Sequence, residues 1–297
     1  MATAALILVT AVWGITFVQV KDAVELYPLL AFLAVRYAIA TAALAPPALG
    51  RLRRLGRDGL FAGAFLGVLI AAGIGLQTAG LARTTVTNTG FITGLYVLFT
   101  PLLALALFRT PIPRELWVAV GLALVGLAML SGVPEGSAAG DGLVLASTVA
   151  QALQIVMVER YANRFDVFAL TFVEVATACL VFGALALAFG DLSVPHGTTV
   201  WAALLVTGLF AVAFAYLVQV WAQRRVSATR IAIVFSLETV FAGLFGYLLA
   251  GDRLGALGLA GCAVIFGGIV LAEPVAAATL RRLVGRPAPE PGPRPLG

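Results

Sequence analysis

The sequence predicts an all-α integral membrane protein of ten transmembrane helices, arranged as two inverted five-helix repeats. Three observations carry that prediction. Of 297 residues, 61% are hydrophobic and only 11% charged, with a mean hydropathy of +1.04, whereas a soluble domain carries about 25% charge. Apolar stretches of the roughly 20 residues needed to cross a bilayer follow one another from end to end. A displacement of 138 residues lays the first five stretches over the last five.

The stretches are delimited by glycine, proline and charge. MATAALILVTAVWG lacks a basic n-region and a small-residue cleavage site, so it reads as a retained first span, 2–20, closed by Lys21. Span 2 (28–48) follows Pro28 and gives way to Arg51, Arg53 and Arg54. Span 3 (59–81) places Gly59, Gly63, Gly67, Ala71 and Gly75 at every fourth position, a smooth seam for close helix packing. Span 4 (85–108) contains Pro101, which cannot donate to the Val97 carbonyl and makes either a hinge or a fixed bend. Span 5 is 115–132, span 6 is 141–158 and span 7 is 167–189. Spans 8 (199–222), 9 (228–250) and 10 (254–273) complete the set. The expected organisation is a first repeat over 1–137, a second over 138–273 and a proline- and arginine-rich tail over 274–297 that buries too little to fold.

Ten spans put both termini on one side. With that side cytoplasmic, fifteen arginines fall in inside loops and the tail, against Lys21, Arg83 and Arg253 outside, with Arg36 inside a helix. This bias predicts cytoplasmic N- and C-termini in the cell (inner) membrane. It also accounts for the net charge of +5 without a nucleic-acid partner. Five spans per copy is an odd number, so the second copy crosses in the opposite sense, as in carriers whose solute site lies at midplane between repeats. The displacement superposes Arg36 on Glu174 and Thr100-Pro101 on Glu238-Thr239.

AVWGITFVQVKDAVELYPLLAFLAVRYAIA, TGFITGLYVLFTPLLALALF and IAIVFSLETVFAGLFGYLLAGDRL together resemble the EamA-like ten-helix branch of the drug/metabolite transporter superfamily. The resemblance covers residues 1 to about 273 and departs at Thr239, where the second repeat usually has proline, and at Asp252, usually glutamate. It implies carriage, often export, of small organic solutes such as amino acids, metabolites or drugs.

Intramembrane polar groups are costly and must face the interior. Trp13, Gln77, Asn88, Tyr96, Gln151 and Gln154 are the expected lining of a central solute cavity, because Asn88, Tyr96 and Thr100 share one helical face, as do Ser147, Gln151 and Gln154. A second row on span 4 is Thr85, Thr89 and Thr93, and Tyr216, Gln219 and Gln223 line one side of span 8. The same stripes read equally as interhelical bonding. Arg36, Glu174 and Glu238 are buried charges, either structural or coupling; Glu238 lies beside Ala242, Gly243 and Gly246, with hydroxyls, amides or Arg36 as its expected partners. The two cysteines and the single histidine, His196, make neither a disulfide framework nor a metal site, and no cofactor or enzymatic reaction is expected. The reading is therefore a secondary transporter working by alternating access. The alternatives are a channel-like facilitator, a non-transporting scaffold or an intramembrane enzyme. Its partners are a small solute and the lipid bilayer; the sequence does not fix the oligomeric state, and a monomer is compatible with it.

Overall fold

A computed structural model describes residues 2–84, 86–131, 137–245 and 255–272. Thr85, Gly246, Asp252 and the tail 274–297 lie outside the described residues. Among the described residues every regular element is a helix: α1 (Ala2–Leu26), α2 (Leu29–Leu52), α3 (Gly56–Leu81), α4 (Val86–Gly94), α5 (Tyr96–Phe108), α6 (Arg114–Ser131), α7 (Ala138–Ala162) and α8 (Val167–Ala188). There follow α9 (Thr198–Val206), a π-helical segment (Thr207–Phe214), α10 (Ala215–Gln223), α11 (Ala228–Phe235), α12 (Leu237–Phe245) and α13 (Ala256–Ala272).

Among the described residues, eight helical stretches are long and apolar enough to cross a membrane. They are α1, α2, α3, residues Asn88–Phe108, α7, α8, Thr198–Gln223 and Ala228–Phe245. The remaining helices α6 and α13, of 18 and 17 residues, pack against each other, Gly126 lying where a Cβ would meet the Gly261 carbonyl at 2.7 Å. Large apolar side chains such as Phe61, Leu180 and Phe189 stand about 70% exposed on the outside of the bundle, where acyl chains cover them.

The glycine seam of α3 has definite partners. A Cβ on Gly63 would lie 2.7 Å from Val173, and one on Gly67 would collide with the Glu174 carbonyl, so only glycine lets α3 and α8 approach this closely. A second glycine row on α3 does the same against α7, with Gly73 on Gln151 (2.8 Å) and Gly80 on Val144 (2.6 Å). α3 is thereby wedged between α7 and α8. Elsewhere α2 lies against α8, α1 against α12 through Gly14, and α4 and α5 against α7.

Three crossing stretches are not continuous α-helix. Residues 86–108 break at Leu95, upstream of Pro101, whose missing N–H leaves the Val97 carbonyl without its helical donor. Residues 228–245 break at Ser236, although Thr239 stands where proline was expected. The Ser236 hydroxyl donates to the Ile233 carbonyl at 2.6 Å, a local bond that bends helices. The Thr239 hydroxyl donates across to the Gly90 carbonyl of α4 at 3.1 Å. The break therefore survives the loss of proline. The third interruption is the π-helical segment, which the sequence reading passed over.

Candidate solute-binding cavity

The cavity is built where the interrupted helices meet. The π-helical turn loosens the i→i+4 bonding of its stretch, and the Ala211 carbonyl accepts from the Trp13 indole N–H at 2.8 Å. That bond fixes Trp13 edge-on to Phe235, with ring centroids 4.8 Å apart. Gly208 of the same segment lies where a Cβ would meet the Arg36 carbonyl at 2.9 Å, bringing α2 close alongside.

The resulting space is about 60 Å³ and is walled by Trp13, Phe17, Arg36, Gln77, Gln151, Tyr216 and Glu238, among others. Val20 and Leu81, near the ends of α1 and α3 away from the arginine-rich loops, line one end of it. A smaller adjoining space of about 20 Å³ is bounded by Trp13, Tyr96, Gln151, Gln154, Tyr216 and Gln219. Each would hold only a few waters, far from the roughly 300–1,000 Å³ of a small-molecule site. The polar interior is thus narrow, smaller than a small-molecule site.

Five of the six residues expected to line a cavity border one of these spaces: Trp13, Gln77, Tyr96, Gln151 and Gln154. Gln77 also donates to the Thr93 hydroxyl at 2.9 Å. Asn88 borders neither space. Its amide lies 3.3 Å from both carboxylate oxygens of Asp141, which also accepts from Thr84 at 2.6 Å, so Asn88 ties α4 to the start of α7. The side-chain charge of Asp141 captured the amide that helical spacing alone would have aimed inward.

The charged residues are placed unexpectedly. Glu238 accepts from the Tyr96 hydroxyl at 3.3 Å, a contact between α12 and α5, yet it also faces the larger cavity. Arg36 faces that cavity too, and the ion pair with Glu238 suggested by their similar depth is not formed. The guanidinium has no hydrogen-bond or ion-pair partner among the described residues, and its Nε is fully enclosed. Glu174 is wholly buried on α8, both carboxylate oxygens without a donor among the described residues. Its backbone, against Gly67, is what packs α3. Pro101 is buried in α5, below the break at Leu95.

Sequence reasoning placed Gln219 and Gln223 on one side of span 8 and left open whether they face a cavity or bond another helix. Gln219 donates to Gln154 at 2.9 Å and to Gln223 at 3.1 Å, and Gln223 donates to the Ile155 carbonyl at 2.7 Å. This chain of amides joins α10 to α7 beside the smaller space, with the Gln154 Nε2 left without a partner among the described residues. Nearby, Glu159 of α7 accepts from the Ala228 N–H at 3.0 Å and caps α11, whose N-terminal dipole favours a carboxylate. The signal available in sequence was the spacing of Gln219 and Gln223, one turn apart.

The described residues form an apolar-surfaced helical bundle that encloses a small polar space, and comparison with known proteins supplies the class. The chain belongs to the EamA-like transporter family: the family's sequence pattern matches twice, at residues 1–132 and again at 138–273. An uncharacterized transporter of Archaeoglobus fulgidus is 32% identical over 249 residues, which cover 84% of this chain and 78% of the relative. A solved structure described only as "Crystal structure of protein" superposes with a TM-score of 0.77 over 94% of this chain and 98% of its own, at 17% identity. That likeness is one of fold.

Proposed function

We propose that the chain is an alternating-access exporter, in the inner membrane, of a small zwitterionic organic solute of the amino-acid kind. Arg36 takes the solute's carboxylate and Glu238 its ammonium. The observation that carries this reading is a cation and a carboxyl bordering one cavity without pairing to each other. An unpaired charge in hydrocarbon is expensive. A solute bearing both complementary charges offsets two such penalties at once, which neither a purely apolar nor a singly charged solute does. Trp13 and Tyr216 supply the apolar wall, and Gln77 and Gln151 the orienting amides.

The proposed architecture is ten crossings in two inverted repeats, 1–137 and 138–273. The double family match supports two copies. So does the pairing of helices, because the main contacts between halves have counterparts with the halves exchanged. The α1–α12 contact answers that of α7 with α4 and α5, while α2–α8 and α6–α13 each pair one repeat's helix with its equivalent in the other. The arginine distribution supports cytoplasmic termini. The narrow cavity is one state of such a cycle, widened when solute enters from either side.

Proteoliposomes test the reading. We expect saturable counterflow of a labelled neutral amino acid, competed by other zwitterions but not by the corresponding amine or carboxylic acid alone. Equal competition by an amine lacking the carboxylate would overturn the roles given to Arg36 and Glu238. Flux without counterflow would replace the carrier by a facilitator.

A further inference from the structure

Away from the central cavity lies a groove of about 360 Å³ where the end of α2, the start of α8 and α10 converge. Its polar end holds Arg51, Asp166 and Arg224, and its wall is Phe168, Leu217 and Trp221. Arg51 and Arg224 sit on the arginine-rich end of the bundle, at the last residues of their helices, where a bilayer's headgroups begin.

The charges here are largely spoken for, but not fully. Asp166 gives one oxygen to the Ala169 N–H as the cap of α8 (3.1 Å), and its other oxygen is 4.0 Å from Arg51 Nε. Arg51 Nη1 donates to the Pro47 carbonyl at 3.0 Å, and its guanidinium lies 4.4 Å above the Phe168 ring. Arg51 Nη2 has no partner among the described residues, and neither does the Arg224 guanidinium. Two arginines against one aspartate give the lining of an otherwise apolar groove a net positive charge, and Arg225, its guanidinium 4.9 Å from the Trp221 ring, adds a further cation beside it.

We propose that this groove is a site for one monoanionic phospholipid, its phosphodiester between Arg51 and Arg224 and an acyl chain along Leu217 and Trp221. The anionic phosphodiester answers the positive charge of the groove's polar end. Leu217 and Trp221 are half-buried apolar wall, along which a free phosphate gains nothing and a chain gains burial. Basic pockets between helices at this level hold lipid headgroups by the same chemistry.

The test uses the full chain reconstituted in phosphatidylcholine vesicles that contain either brominated phosphatidylglycerol or brominated phosphatidylcholine at equal mole fraction, read by tryptophan quenching. Brominated phosphatidylglycerol is expected to quench with an apparent selectivity of about fivefold, the factor one net arginine charge supplies near a membrane surface. The excess quenching is lost in Trp221→Phe, lost in the Arg51→Gln/Arg224→Gln double variant, and largely kept in Arg51→Lys/Arg224→Lys. Equal quenching by the two lipids overturns the proposal, as does selectivity that survives the double glutamine variant. Displacement of the brominated lipid by soluble glycerol phosphate overturns it too, by making the groove a site for free anions. Should the glutamine variant fail to fold, Trp221→Phe and the glycerol phosphate competition on the wild-type chain decide alone.

Discussion

Gln151 and Gln154 lie one turn apart on α7, yet their surroundings differ in kind. Around Gln151 are the cavity, the unpaired Arg36 and the singly bonded Glu238. Around Gln154 the amides of Gln219 and Gln223 bond one another and the Ile155 carbonyl, leaving the Gln154 Nε2 without a partner among the described residues. A polar network bonded from helix to helix in low dielectric holds those helices together, whereas polar groups that border a cavity without such bonds are open to a ligand. The difference between the two regions is the number of hydrogen bonds made between helices, not residue type. It separates the part of the interior that binds from the part that latches.

The sharpest break in that contrast comes from Arg36→Gln and Glu238→Gln. If these groups meet solute, each substitution removes a charge-assisted contact of about 1.5–3 kcal/mol. Solute affinity should then fall by about 10- to 100-fold in a binding assay. Melting temperature should hold or rise for Arg36→Gln, since an uncompensated buried cation is removed. A large drop in melting temperature with unchanged affinity would move both residues into the latch.

The reverse experiment is Gln219→Leu. It strands acceptors on Gln154 and Gln223, at about 1–3 kcal/mol each. We expect a clear fall in melting temperature and faster labelling of a cysteine introduced at Ala152, with solute affinity nearly intact. Gly67→Ala probes a third kind of contact, because its new methyl meets the Glu174 carbonyl. Overpacking of about 1–3 kcal/mol should lower thermal stability without altering the solute profile. Gln77→Leu is expected to do least. Its one bond is to the Thr93 hydroxyl, which can turn to a carbonyl of its own helix, so the loss is about 0.5–1.5 kcal/mol. A modest rise in KM with unchanged melting temperature would keep Gln77 on the cavity side.

Much of the helical layout was legible because it rests on local quantities. Apolar length marks the spans, and the four-residue glycine period marks the seam that α3 presents to α8. The site was legible as a set of candidates, since intramembrane polar residues must turn inward wherever the helices place them. Which of them would bond one another was not. Gln154 and Gln219 are 65 residues apart, and Asn88 and Asp141 are 53 apart. Helical spacing says nothing about such encounters. The π-helical segment escaped for another reason: it is apolar throughout, and its bonding pattern leaves the composition of TGLFAVAF unremarkable. The break at Ser236 comes without the proline usual at position 239, and the Ser236 hydroxyl bonds the Ile233 carbonyl there.

The bonds made by α12 have a meaning for how the protein is made. Glu238 takes its donor from Tyr96, 142 residues earlier, and Thr239 takes its acceptor from Gly90, 149 residues earlier. While the chain emerges from the ribosome, α4 and α5 enter the bilayer with the Tyr96 hydroxyl and the Gly90 carbonyl still waiting for those groups. The late segment then brings a carboxyl and two hydroxyls that an isolated apolar helix would insert at a disadvantage. The contacts between these early and late helices therefore form only after α12 has been made.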